Sequence, residues 1–374
     1  MELKSNKNKY IKHMKSALKL AEKGRGLTNP NPVVGAVIVK DDKVIGRGYH
    51  EKYGELHAER NAIKNSRVSL EDSTMYVTLE PCCHTGKTPP CTDAIIESGI
   101  KRVVLGANDP NPKVAGKGIK ILRQHGIQVD EAIMTKECLD INKVFFHYIN
   151  TGLPYITMKY AMTMDGKIAA SSGNSKWITG EDAREHVHIQ RSYNTAIMVG
   201  SKTVIADDPL LTSRTDKGAK RDPVRIICDT NLSIPVESKV VETASSVRTI
   251  IATSKDKQAA KPYTDAGCEI LTVNTKDGKI DLHQLMELLG ADKIDSILLE
   301  GGSTLNWGML ESGLVNKIQA YIAPKIFGGD KSKTPVGGVG AVKPDDGLIT
   351  SPTEITRLGN DILLESEVIE CSRE

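Results

Sequence analysis

Two α/β domains are predicted by this sequence, and three observations predict them. Strand-length apolar runs alternate with helix-period segments through the first third of the chain, and the same alternation starts again at about Pro154. At 374 residues the chain is longer than one ordinary core organises. Between the two series, residues 148–154 carry Asn150-Thr151-Gly152 ahead of a proline, a junction. The expected domains are residues 1–150 and 151–374.

Taken in order, residues 11–22 repeat apolar positions at helical spacing (Ile11, Met14, Leu18, Ala21) with lysines opposite, an amphipathic helix ending at Gly24. A polar turn over 28–32 leads to the strand VVGAVIV (33–39). Lys40-Asp41-Asp42-Lys43 then turns the chain into VIGRGYH (44–50), as in a hairpin. A helix starts near His57 and runs through Ala58, Ala62 and Ile63. Strand MYVTLE (75–80), a helix around 92–98 and strand RVVLGA (102–107) follow. In the second half YITMKYAMTMDGKIA, TAIMVGSKTV, VRIICD, VRTIIATS and DSILLEGG read as strand-like runs.

Composition narrows the function classes. With 39% hydrophobic and 26% charged residues the chain reads as soluble and globular. Fifty basic against 47 acidic residues leave a formal charge of +3, so no nucleic-acid partner is expected; a small phosphorylated substrate needs only a few local Arg or Lys. The basic first segment has no apolar stretch behind it and does not read as a secretory signal, and no apolar run is long enough to cross a bilayer. Seven cysteines do not suit a full disulfide framework. A cytoplasmic protein, in which clustered cysteines bind metal, is the expectation.

The sharpest signal is His57-Ala58-Glu59 opening a helix, followed by Pro81-Cys82-Cys83-His84 and Pro90-Cys91. H-x-E followed by P-C-x-x-C is the signature of zinc nucleobase deaminases. Its chemistry explains the residue types. Three protein ligands (His57, Cys82 and Cys91) leave Zn2+ one position for a water, whose pKa falls toward neutrality. A carboxylate that does not ligate must take that water's proton and return it to ring nitrogen and leaving ammonia, which is the place of Glu59. Of the adjacent cysteines, Cys82 is the expected ligand, because it follows the proline directly and neighbouring side chains point apart; Cys83 is read as a packing residue. One departure matters: Cys82 and Cys91 stand nine apart rather than three. The Gly- and Pro-containing insertion between them offers His84 and Lys87 to a ligand. A lone His or Cys reads as a core residue; this full constellation does not.

That insertion narrows the family. CCHTGKTPPC, with TNPNPVVGAVIV before it and GANDPNPKVAGKG after it, resembles the deaminase half of the bifunctional deaminase–reductase of riboflavin biosynthesis. The resemblance implies an N-terminal cytidine-deaminase-like α/β/α domain acting on 2,5-diamino-6-ribosylamino-4(3H)-pyrimidinone 5′-phosphate. It also implies that Asn31, His50, His84, Lys87, Asp109 and Asn111 contact that substrate. Without the family, Asn31 and Asn111 beside prolines are ordinary turn residues.

The second half carries KYAMTMDGKIA, SKWITG, GSKTVIADDPLLTSR and LLEGGSTLNWG, which together resemble the reductase half of the same family. They imply a C-terminal dihydrofolate-reductase-like α/β domain using NADPH. The resemblance implies that Ala161, Trp177, Thr203, Asp207, Gly302, Ser303, Thr304, Leu305, Asn306, Trp307 and Gly308 face the cofactor. It implies that Ser175, Arg191, Leu211, Arg214 and Glu300 face the sugar phosphate, and the expected assembly is a homo-oligomer. Read physically, the glycines after DSILL let backbone N–H groups approach a phosphate at a helix start, although Gly-Gly is also an ordinary strand-to-helix turn. Arg191 and Arg214 suit bidentate phosphate contacts or a solvated surface, and Trp177 suits a cofactor ring or the core. Lys159 and Glu300 are the titratable candidates for the proton that accompanies hydride transfer. His186 and His188 read as solvated, and the isolated Cys138, Cys228, Cys268 and Cys371 as buried small hydrophobes or bystanders.

Two rivals are disfavoured. A nucleic-acid editing deaminase needs a basic, aromatic-rich surface, and only 4% of residues are aromatic. A closed structural zinc site takes four protein ligands, and Glu59 would be idle in it.

Overall fold

In a computed structural model, which describes residues 2–111, 114–214 and 221–369 with side chains from Asn8 onward, the chain divides into two units, Met1–Gly152 and Leu153–Glu374. Cys371 lies outside the described residues.

The first unit opens with α1 (Glu2–Ala21), which buries Met14, Ala17 and Ala21 and turns Lys12, Lys15 and Lys19 to water. β1 (Gly35–Lys40) and β2 (Lys43–Tyr49) form an antiparallel hairpin. Asp41 and Asp42 both take positive φ there, 48° and 61°, the conformation that matches strand twist in a two-residue turn. β1 starts at Gly35, two residues after the expected Val33. The reason is that the amide and carbonyl of Val33 are both taken by the Asn142 side chain, leaving Val33 nothing to pair with a strand. α2 (Ala58–Lys64), β3 (Thr74–Leu79), α3 (Cys91–Glu97), β4 (Arg102–Ala107), α4 (Lys117–Gln124), β5 (Gln128–Asp130), α5 (Thr135–Asp140) and α6 (Lys143–Thr151) complete the unit. Its sheet order is β2-β1-β3-β4-β5, antiparallel as far as β3 and parallel beyond it. α6 runs through Asn150 and Thr151, so the expected junction is mostly helix; Gly152 ends it with φ of 72°, a left-handed cap.

The second unit contains β6 (Tyr155–Thr163), α7 (Glu181–Tyr193), β7 (Ala196–Gly200), α8 (Ser201–Asp207), β8 (Val224–Cys228), α9 (Lys239–Glu242), β9 (Thr249–Thr253), α10 (Lys261–Asp265), β10 (Glu269–Thr272), β11 (Thr275–Lys276), β12 (Lys279–Ile280), α11 (Leu282–Ala291), β13 (Ser296–Leu299), α12 (Ser303–Glu311), β14 (Lys317–Ala323), β15 (Glu354–Leu358) and β16 (Asp361–Glu367). Among the described residues its main sheet runs β10-β9-β8-β7-β13-β6-β14-β16-β15, parallel up to β14 and antiparallel at β16 and β15. Strand alternation splits the core between two faces. Ala196, Met198, Ile226 and Ile250 pack with Leu285 and Leu289 of α11, while Ile197, Val199, Ile227 and Ile251 pack with Val240 and Val241 of α9. The expected run TAIMVGSKTV is therefore only partly strand, since β7 stops at Gly200 and Ser201 begins a helix.

Arg225 of β8 is fully buried, and among the described residues no carboxylate is paired with its guanidinium. Neutral acceptors surround it instead: Thr249 Oγ1 at 2.9 Å, Thr243 Oγ1 at 2.7 Å, the Val247 carbonyl at 2.9 Å and the Leu210 carbonyl at 3.3 Å. Cys138 and Cys268 are buried, and Cys228 is half-buried. Among the described residues no helix is long and apolar enough to cross a membrane.

Candidate active sites

Close packing of α2 on β2 sets up the first site. A Cβ on Gly48 would come within 2.3 Å of the Ala62 amide nitrogen and 2.4 Å of the Ala58 carbonyl oxygen, so glycine is what lets the helix start lie on the strand. His57 caps that start, and β3 and the N-terminus of α3 bring Cys82 and Cys91 to it. Cys82 Sγ lies 3.4 Å from His57 Nδ1 and Cys91 Sγ 3.5 Å from the same atom. Among the described residues this is the one group of three His, Cys, Asp or Glu with donor atoms mutually within 4.8 Å. Two sulfurs and an imidazole at that spacing fit a tetrahedral zinc with its fourth position open. Hydrogen bonds from Cys91 and His57 lower the Cys82 thiol, while the same shared bond and burial raise the Cys91 thiol, so the sulfur pair favours one negative charge carried by Cys82. Cys83 is outside the group, and burial pushes its thiol up.

Glu59 is 3% exposed, and burial, reinforced by the Cys82 charge, pushes its carboxyl up to about 7. It borders a cavity of ≈ 220 Å³ that His57 and Cys82 also line, together with Asn31, His50, His84, Lys87, Asp109 and Asn111. His50 Nδ1 faces the Leu56 carbonyl at 3.1 Å and so carries the proton; Nε2 then accepts from Asn31 Nδ2 at 3.2 Å. Burial lowers the His50 imidazole to about 4, keeping it neutral. His84 Nδ1 is buried with no hydrogen-bond partner among the described residues, an orphaned group at the cavity wall. Lys87 Nζ sits 4.1 Å from the Tyr53 ring centre. Asp109 is 8% exposed, and desolvation raises its carboxyl to about 6. Asn31 and Asn111 are thus more than turn residues, since both border the cavity. Glu80, which also borders it, was not singled out in the sequence.

A second cavity of ≈ 390 Å³ lies in the other unit, bordered by Thr203, Asp207, Gly302, Ser303, Thr304, Leu305 and Gly308. Gly302 precedes α12, and a Cβ there would meet only Thr203 Oγ1, at 3.4 Å. This is a glycine cradle at a helix start beside a long cleft, which fits a dinucleotide phosphate. Lys202, Lys279, Lys333 and Cys228 border it too, and no sequence signal marked them.

Several expected contacts fall elsewhere. Asn306 is buried and donates to the Pro335 carbonyl at 2.9 Å, and Trp307 fills the space a side chain at Gly338 would need. These two side chains hold the 335–338 segment instead of lining the cavity. Ala161 packs against Ala183, Val187, Tyr321 and Leu363, away from it. Trp177 does not line it either; being 62% exposed, it is no core aromatic, and the Arg184 guanidinium lies 4.8 Å from its ring centre. Ser175 borders the same cavity as the cofactor candidates and donates to Asp207 Oδ1 at 3.1 Å. Leu211, at φ 54°, turns its side chain into the core beside Val204 and Ile227.

Arg191 is also not solvated. Its Nε and Nη2 reach Glu300 at 2.7 and 3.0 Å, and its Nη1 reaches the Thr212 carbonyl at 3.1 Å. Lys159 Nζ lies 3.4 Å from the same carboxylate. These cations outweigh burial and hold the Glu300 carboxyl far below its ordinary range. Glu300 is thus the shared counter-ion of Arg191 and Lys159. Arg214 is exposed. His186 and His188 are half-buried, not solvated: His186 Nδ1 meets Tyr321 Oη at 2.8 Å, and His188 Nδ1 lies 3.3 Å from the Thr212 carbonyl.

Residues 7–107 match the cytidine and deoxycytidylate deaminase zinc-binding region, and residues 154–364 match the RibD C-terminal domain. The chain is 50% identical to the riboflavin biosynthesis protein RibD of Actinobacillus pleuropneumoniae over 96% of this chain and 95% of that one. Among solved structures, Acinetobacter baumannii RibD superposes with a TM-score of 0.87 at 34% identity, covering 97% of this chain and 100% of its own. A diaminohydroxyphosphoribosylaminopyrimidine deaminase/5-amino-6-(5-phosphoribosylamino)uracil reductase from Thermotoga maritima does so at 0.85 and 37%, covering 97% and 100%. The cofactors are accordingly zinc and NADPH. With both halves matched and the likeness running nearly end to end, the chain belongs to the RibD family of two-domain deaminase–reductases of riboflavin biosynthesis.

Proposed function

We propose that residues 1–150 carry the deamination and residues 151–374 the reduction, in that order on one small phosphorylated substrate. The first reaction converts the exocyclic amine of 2,5-diamino-6-ribosylamino-4(3H)-pyrimidinone 5′-phosphate to an oxo group, releasing ammonia. The second reduces the ribosyl unit of the product to ribityl.

In the first site His57, Cys82 and Cys91 hold zinc, which when bound supplies an acidified water. Glu59 takes and returns the proton; its buried carboxyl, raised to about 7, suits both directions near neutrality. Asn31 and neutral His50, linked to each other, present fixed polar atoms to the pyrimidine, and Asp109 and Asn111 line the same cavity. His84 and Lys87 offer donors at the rim.

In the second site NADPH supplies the hydride. Thr203, Asp207, Gly302 and the first turn of α12 with Gly308 hold it along the larger cavity, with Ser175 alongside. Glu300 fixes Lys159 and Arg191, so that Lys159 Nζ is held for proton delivery. Arg214 meets the phosphate from the exposed side. A cytoplasmic homo-oligomer belongs to the same reading: among the described residues β15 ends the main sheet, and its outer backbone groups are ones that pairing between copies would satisfy.

The observation that carries this reading is the His57, Cys82 and Cys91 cluster, two of whose members, His57 and Cys82, line one cavity with Glu59. Incubation with the diaminopyrimidinone phosphate, with and without NADPH, tests it. Ammonia release is expected in both, and NADPH oxidation only after it. Oxidation without prior ammonia release would reverse the order.

A further inference from the structure

Glu80 is a carboxylate 3% exposed, and among the described residues no cation is paired with it. Four backbone N–H groups serve instead. Oε2 accepts from Gly116 at 3.0 Å and Asp109 at 3.4 Å; Oε1 accepts from Gly118 at 3.0 Å and Ile119 at 3.3 Å. These donors stand on both sides of the 109–119 segment, so one side chain gathers its start and its end. The far end is the first turn of α4, where unpaired amides and the helix dipole favour a negative charge. The near end presents Asp109, whose Oδ1 in turn accepts from the Asn111 amide at 2.8 Å. On its other side Glu80 is two residues from Cys82. Packing there is close: a Cβ on Gly118 would lie 2.3 Å from the Pro81 carbonyl oxygen and 3.2 Å from Glu80 Oε1.

We propose that Glu80 is a positioning residue for deamination, fixing the wall that carries Asp109 and Asn111 at a set distance from the zinc ligands. It acts through those residues. The proposal rests on the reading that Asp109 contacts the substrate. A carboxylate suits the task where an amide does not, because it accepts at both oxygens, whereas glutamine would turn an NH2 toward two of the four donors.

The test is a double-mutant cycle in the full chain, with zinc content and reductase kinetics measured alongside. Glu80→Gln is expected to keep zinc and reductase activity while KM for the diaminopyrimidinone phosphate rises about ten- to a hundredfold, the scale of a lost charged acceptor, with a smaller change in kcat. Combined with Asp109→Asn it should add little to that mutation alone, since the two act on one contact. A zinc-loaded Glu80→Gln with unchanged KM, or effects that simply multiply, would overturn the role. If Asp109→Asn by itself leaves KM alone, the Asp109 reading fails, and the Glu80 role with it. Should Glu80→Gln lose zinc, Glu80→Asp takes its place under the same criteria. Loss of zinc in both would assign Glu80 to the metal site and end the proposal.

Discussion

Arg191 and Glu300 meet side by side, Nε to Oε1 at 2.7 Å and Nη2 to Oε2 at 3.0 Å, with both side chains about nine-tenths out of solvent. A paired guanidinium and carboxylate in that geometry stabilise each other, and removing Arg191 leaves the buried Glu300 carboxylate with only the longer Lys159 contact at 3.4 Å. Arg191→Met is therefore expected to destabilise the second unit by about 3–5 kcal/mol. Chemical unfolding of the full chain, followed by signals from each unit, measures it; a change confined to activity, with unfolding untouched, would contradict the burial argument.

Acid should act through the same pair. The Glu300 carboxyl is held below its ordinary value in the folded chain, so protons bind the unfolded chain more readily. Its stabilisation is whole above the ordinary carboxylate range and is lost as pH falls below about 5. Glu300→Gln should flatten that part of the stability profile. An equally steep acid loss in the mutant would place the effect elsewhere.

Glu59→Gln should abolish ammonia release while leaving zinc bound and reduction of the deaminated substrate intact. Removing a general acid–base commonly costs about 10²–10⁴-fold, and more where one residue serves several proton steps. Near-normal deamination by this mutant would remove Glu59 from the mechanism.

The paired cysteines make opposite predictions. Cys82→Ser should lose zinc and deamination but keep the reductase, because its sulfur lies 3.4 Å from the His57 nitrogen. Cys83→Ser should keep the metal and most activity. Zinc content of the two purified proteins decides, and a metal-free Cys83→Ser beside a loaded Cys82→Ser would reverse the ligand assignment.

A chain beginning at Leu153 should fold alone and reduce the deaminated substrate with NADPH, since the division into units falls at Gly152 and Leu153. A folded but inactive fragment would mean that the second site borrows residues from outside it.

What the sequence made legible, and what it did not, follows from the range of the interactions. The Asp41-Asp42 turn and the amphipathic first helix show in local spacing, because turn geometry and helical period demand particular residues at short separations; the His57, Cys82, Cys91 group spans 25 and 34 residues and shows instead because metal chemistry demands those residue types in short motifs. The reach of Glu80 to amides 29 to 39 residues away leaves no such mark, nor does the pairing of Arg191 with Glu300 across 109 residues. Asn142 shortens β1 from a similar distance. Leu211 and Asn306 turn inward for reasons of backbone angle and a distant carbonyl, which motif position does not encode.

Arg225 bears on how the second unit comes together. Its acceptors belong to stretches around residues 210, 243, 247 and 249, and a bare guanidinium cannot leave water until they are assembled. Any partly organised form lacking one of them must either keep this strand wet or strand a charge. The cluster thus ties the placement of those stretches to the burial of one charge, a source of cooperativity located in one side chain.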